Sequence, residues 1–192
     1  MTMVAWGYFM ERSSNLVRNA ISLYLATCSM AFAAQTDIRV VISDDIGCEL
    51  RLPSSLTFRP QRTSAFQGAA EAHEIKPLRA ELACPDKTNE LIPRLSIEGH
   101  TPYATDAIFL DGEPNGVGFM LRLGEGTPPS LSEFYAPEKA IKQGMTLSLS
   151  PLNIANQHHT EEIFWVGLVG PVQGNVLPGK FFSALTFNVF FQ

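Results

Sequence analysis

Basic clusters, long apolar runs and cysteines are all scarce in this chain, and each scarcity removes a class of function. Lys and Arg number 14 against 19 Asp and Glu, for a net charge of −5, and they never gather into a run. A phosphate backbone needs a concentrated basic surface, so nucleic-acid binding is not expected. There is no phosphate loop, no dinucleotide fingerprint and no Gly-x-Ser-x-Gly elbow, and Gly124-Glu125-Gly126 is too short to stand for one. Histidine occurs four times. His73 and His100 are isolated among polar residues and read as surface. His158-His159-Thr160-Glu161-Glu162 is the one dense group of potential ligands. Adjacent residues on a strand point to opposite faces, whereas zinc needs three or four convergent donors. The group therefore reads as a solvated loop, and no metal or other cofactor is expected. Asp44-Asp45 and Glu161-Glu162 are sequence neighbours, whereas paired catalytic carboxylates usually come from separate elements. The expectation is that the chain is not an enzyme.

Amphipathic helices are missing too. Ser132 to Gln143 is the one helical stretch with a cap-like start, Ser130-Leu131-Ser132-Glu133, and Pro137 limits it to about one turn. What remains is a β pattern. The apolar, uncharged stretch from Ala20 to Ala34, preceded by Arg12 and Arg18 and ending in Ala31-Phe32-Ala33, reads as a signal peptide over residues 1–33. It is too short to favour a membrane-spanning anchor. Met10 offers a more ordinary start than Met1 for such a segment. Removing it takes Cys28 away and leaves Cys48 and Cys84, an even pair in an exported chain, for which a disulfide is the default.

Strand signals follow in series: 38–42, 46–52, 56–58, 78–84, 91–98, 107–110, 117–123, 145–149 and 163–169, with turn residues between them. Residues 60–74 read as a mixed connection. Pro93 places the 91–98 strand near an edge, and the apolar run Ile163 to Val169 reads as central. The last fourteen residues, Gly179 to Gln192, form the strongest strand signal. Phe181, Ser183, Leu185, Phe187, Val189 and Phe191 share one face, and only Ser183 among them is not large and apolar. Such a strand at the end of the described pattern needs a neighbour along its whole length. Near the other end, Ile38, Val40 and Ile42 alternate with polar residues.

These features together resemble the pilins, the structural subunits of fimbriae assembled by the chaperone–usher pathway. The resemblance rests on the signal peptide, the single-domain length, the Cys48 and Cys84 pair, the strand Val117-Gly118-Phe119-Met120-Leu121 after a glycine turn, and the final strand. Gly179 stands fourteenth from the end and Phe191 is penultimate, where the family commonly has glycine and an aromatic, usually tyrosine. The resemblance implies an all-β fold: an incomplete immunoglobulin-like sandwich whose last strand is supplied in trans. It implies a donor-strand extension over residues 34–45 and a sandwich domain over 46–192. Ile38, Val40 and Ile42 would enter a neighbour's groove. Phe181, Leu185, Phe187, Val189 and Phe191 would line the chain's own groove floor and take a chaperone's strand before a neighbour's. The implied partners are a periplasmic chaperone, an outer-membrane usher and neighbouring fimbrial subunits. The implied role is a shaft or minor subunit of a cell-surface fimbria supporting adhesion.

A rival reading stays open. Ile38, Val40 and Ile42 also fit the first strand of a complete sandwich, and the final strand also fits an ordinary core strand. The chain would then be a self-contained secreted binding module, for instance one recognising carbohydrate. Trp165 or Tyr135 would be its stacking platform, although the apolar surroundings of Trp165 suit a core position better.

Overall fold

The structure is a computed structural model that describes residues 32–42, 47–124 and 126–191. The expected signal peptide falls on residues outside this range, apart from its last two positions. The described residues form two β-sheets packed face to face, with little helix. In chain order the strands are β1 (Phe32–Ile42), β2 (Glu49–Arg51), β3 (Ser55–Gln61), β4 (Glu71–Ala83), β5 (Pro93–Glu98), β6 (Gly118–Leu123), β7 (Thr146–Ser148), β8 (His159–Gly170) and β9 (Phe181–Phe191). One sheet has the order β3-β1-β9-β5-β7 and the other β2-β4-β8-β6. The alternating pattern predicts the two-sheet, all-β sandwich, and its immunoglobulin-like class is the one that the resemblance implies.

The core follows from period-two alternation. Leu78, Ala80 and Leu82 of β4, Phe164, Val166 and Leu168 of β8, and Leu95 and Ile97 of β5 all point between the sheets and are buried. Aromatic rings bridge the gap. Phe58 meets Phe119 with centroids 5.3 Å apart, and Phe164 meets Phe187 edge-on at 5.7 Å. A disulfide joins Cys48 to Cys84. It spans the point where β2 meets the end of β4, whose pairing begins at Glu49 and Ala83.

The structure departs from the sequence pattern in several places, each with a physical reason. Half of β4 falls within what reads as the 60–74 connection or the gap after it, because Glu74, Lys76 and Pro77 spoil the alternation. Glu74 is buried, yet it is satisfied. Its Oε2 accepts the Arg59 backbone N–H at 2.7 Å, and its Oε1 lies 3.4 Å from both Arg59 Nε and Lys76 Nζ. One carboxylate thus ties β3 of the first sheet to β4 of the second. Pro77 is tolerated because β2 pairs only with residues 81–83, so the strand has a ladder on one side at that point. Residues 107–110, expected as a strand, make only an isolated bridge between Phe109 and Phe119. They are a buried plug between the sheets, with all four side chains essentially inaccessible. His158 is not in a solvated loop. It is 4% exposed, with Nε2 2.9 Å from the Asn89 carbonyl, while His159 is exposed at the start of β8. No group of three or more potential metal ligands occurs among the described residues.

The helical candidate is a single turn, α1 (Leu131–Phe134). It serves as a strap over the outer face of the second sheet. The Phe134 ring fills the space above Gly167, where an added Cβ would come within 2.2 Å of it. Gly124 covers Trp165 in the same way, with a Cβ placed there only 2.4 Å from the indole. Trp165 is 7% exposed and offers no stacking platform. Tyr135 is half-buried.

Tyr103 holds the loop before β6. Its hydroxyl donates to the Val117 carbonyl at 2.6 Å and accepts the Gly116 N–H at 3.1 Å. Tyr103→Phe leaves both groups buried and unpaired, and is expected to cost about 1–3 kcal/mol in urea unfolding at neutral pH. Burial raises the Tyr103 pKa above the ordinary 10.0. The folded state therefore holds the phenolic proton more tightly than the unfolded chain. The stability this contributes is complete below pH 10 and fades as pH rises toward the raised folded pKa. Unfolding midpoints measured at pH 9 and pH 11 should fall further between the two for the parent than for Tyr103→Phe.

Candidate functional site: the slot between β3 and β9

β9 is the strand with the largest demand for neighbours, and three different elements meet it. β5 pairs antiparallel with it from Pro93↔Phe191 to Glu98↔Thr186. That ladder stops short of the first residues of β9. There Asp111 takes over: its N–H donates to the Phe182 carbonyl at 2.9 Å, and its Oδ2 accepts the Ala184 N–H at 2.9 Å. The opposite edge is covered by β1, which runs parallel to β9 from Ala34↔Phe181 to Ile42↔Val189. β1 also pairs antiparallel with β3, from Phe32↔Gln61 to Asp37↔Ser55. β1 thus lies in a slot whose two walls are β3 and β9.

The floor of that slot is apolar. Phe181, Leu185, Phe187 and Val189 are buried, and Phe191 is partly buried against the same core. The inward face of β1 is the even-numbered one. Ala34, Thr36 and Ile38 are buried, whereas Val40 is 38% exposed. The Ile42 backbone still pairs with Val189, and its side chain lies outside the described set. Of the three expected donor residues, Ile38 therefore reaches the core in this structure and Val40 lies at its margin. Ala34 and Thr36 were not singled out by the alternation, since neither is large and apolar; the even-numbered face extends upstream into small residues.

The way β1 is attached is informative. It precedes every other described element, and residues 43–46 join it to the sandwich on its C-terminal side. Its partner β9 lies at the far end of the chain, so no tight turn fixes their pairing. A parallel ladder is also slightly weaker per residue than an antiparallel one. No hairpin turn ties β1 to either neighbour, and β1 covers two strand edges and an apolar floor together.

No family model and no curated protein sequence matches this chain. Among solved structures, it is similar to the P pilus rod subunit PapA, with a TM-score of 0.52 and 14% identity, over 76% of this chain and 99% of that one. At that identity the likeness is one of fold. No helix among the described residues is long and apolar enough to cross a membrane.

Proposed function

We infer that this chain is a pilus subunit and that the slot between β3 and β9 is a strand-acceptor site. The observation that carries this reading is β1 itself: a strand held in the slot by ladders on both sides, over a floor of Phe181, Leu185, Phe187 and Val189. In the form described here the chain fills its own slot. In assembly, a periplasmic chaperone's strand and then the 34–45 segment of a neighbouring copy take the same place, with an outer-membrane usher organising the exchange and a surface fimbria as the product. An open edge beside an apolar groove is an aggregation hazard, and filling it with an added strand is a known mode of recognition. The proposed role is structural, with adhesion supported by the assembled fibre.

A second reading has observations in its favour. A sandwich closed by its own β1 is also what a self-contained binding module would show. A cleft of about 660 Å³ is lined by the uncharged polar Thr63, Ser64, Gln67 and Asn175 and by the apolar Phe66, Pro171 and Val176, a mixture that suits a carbohydrate.

One experiment separates the two. A copy of residues 35–44 carrying Arg39→Gln is appended after Gln192 through a short linker. Entering from that end, the copy runs antiparallel to β9, whereas β1 runs parallel to it. If the slot accepts strands, the copy displaces β1, and trypsin cuts after the native Arg39 at least tenfold faster than in the parent. The unfolding midpoint rises as well. Unchanged protection of Arg39 at an unchanged midpoint would sink the strand-acceptor reading in favour of a permanently closed module.

A further inference from the structure

Thr36 and Ser183 are direct register partners across the β1–β9 ladder, and both side chains are fully buried. Neither hydroxyl has a hydrogen-bond partner. Buried side-chain nitrogen or oxygen atoms without a partner occur on only four of the described residues, and two of the four face each other here. On either side the facing residues are apolar: Ala34 opposite Phe181 and Ile38 opposite Leu185. The pair is thus a polar point in an apolar stretch of the slot, where two groups that prefer water are buried without a hydrogen-bond partner.

We propose that the Thr36–Ser183 pair is a specificity determinant of the strand-acceptor site, one that weakens the chain's hold on its own β1 and so sets how readily a second copy's strand replaces it. The proposal rests on the strand-acceptor reading. The two residues act differently. Ser183 belongs to the slot and is buried again under any occupant. Thr36 belongs to the departing strand, and its hydroxyl regains water once β1 leaves. The Thr36 hydroxyl therefore favours release of β1 over retention. A strand that enters in the opposite direction, or in another register, need not place a hydroxyl opposite Ser183. Stripping one hydroxyl of water without a partner weakens the hold by roughly tenfold or more. Thr and Val have nearly the same shape, so Thr36→Val removes the polarity while keeping the packing.

The test uses the full chain and a fluorescent peptide copying residues 32–44, with uptake followed by native mass spectrometry and anisotropy. Thr36→Val in the chain is expected to slow uptake of the unaltered peptide by tenfold or more and to raise the chain's own unfolding midpoint. Ser183→Ala, a second variant in case the first perturbs folding, is expected to raise the midpoint and to slow uptake less than Thr36→Val, because it relieves the slot for every occupant. Uptake by the parent with a rate unchanged in Thr36→Val overturns the proposal and leaves the strand-acceptor reading standing. Failure of the parent to take up peptide under any condition overturns both.

Discussion

A chain beginning at Gly47 is expected to form aggregates instead of a soluble monomer, and a peptide copying residues 32–44 is expected to restore the monomer when present during refolding. The expectation follows from what β1 covers. Its removal strips nine residues of β9, Phe181 to Val189, of their parallel partners. It also frees the β3 edge from Ser55 to Gln61. The apolar floor beneath loses its cover, as do the buried Ala34, Thr36 and Ile38 contacts. At about 1 kcal/mol net for each lost ladder bond, plus the exposed apolar area, the loss is on the order of 10 kcal/mol. That is comparable to the whole stability of an ordinary domain. A long, flat, apolar edge is also a template for pairing with other chains, so the unfilled sandwich should associate rather than stay open. Size-exclusion chromatography with light scattering, run with the peptide and with a scrambled version of it, checks both halves. A truncated chain that remains a monomer with the parent's urea midpoint would show that β1 contributes little and that the slot needs no occupant.

The two ends of this slot were legible in the sequence to different degrees. β9 was plain, because Phe181, Leu185, Phe187 and Val189 repeat with period two and nothing competes with that pattern. β1 was visible only from Ile38 onward. Its upstream half is Ala34 and Thr36 on the inward face, residues that bury well where a slot is narrow but carry no strand signal of their own. Which strands would be neighbours could not be read at all. The β1–β9 pairing joins opposite ends of the chain in parallel, so no turn motif announces it. The first half of β4 was hidden for another reason. Glu74 looks like a surface residue until Arg59 and Lys76 are seen to balance it, and they come from another strand and from two residues along the same one. The 107–110 plug shows the reverse error: an apolar run reads as a strand, yet burial was satisfied by packing between the sheets, with the Phe109 backbone bridging Phe119 alone. Trp165 was legible as core, whereas the close approach of Gly124 to its indole was not. Nor was the seat of Phe134, which depends on the absence of a side chain at Gly167.

Replacing both Cys48 and Cys84 with alanine is expected to lower global stability by about 4 kcal/mol while leaving the rate of strand uptake nearly unchanged. The disulfide closes a loop with a sequence separation of 36. In the chain-entropy account, losing a cross-link over such a loop gives the unfolded chain back about that much free energy. With a urea dependence of roughly 2 kcal/mol per molar, the midpoint should fall by about 2 M. Strand uptake is a different process. Cys48 lies beyond the 43–46 connection, and the bridge pins β2 to β4 in the sheet that does not contain β1. A strand that leaves by local opening breaks its ladders to β3 and β9 and the inward packing of Ala34, Thr36 and Ile38, but leaves the β2–β4 pairing intact, so the free energy of its release does not include the cross-link. If β1 instead left only when the whole sandwich unfolded, the alanine pair would speed uptake by the full factor that the stability loss implies, on the order of several hundredfold. Measuring the urea midpoint and the peptide uptake rate on the same variant separates the two routes. A large loss of stability with an uptake rate within a few fold of the parent identifies β1 as a unit that exchanges on an intact sandwich, which is the property that assembly by strand replacement requires. Acceleration in step with the lost stability would mean that β1 is an integral strand of a closed fold, and the assignment of the slot as an acceptor site would fail with it.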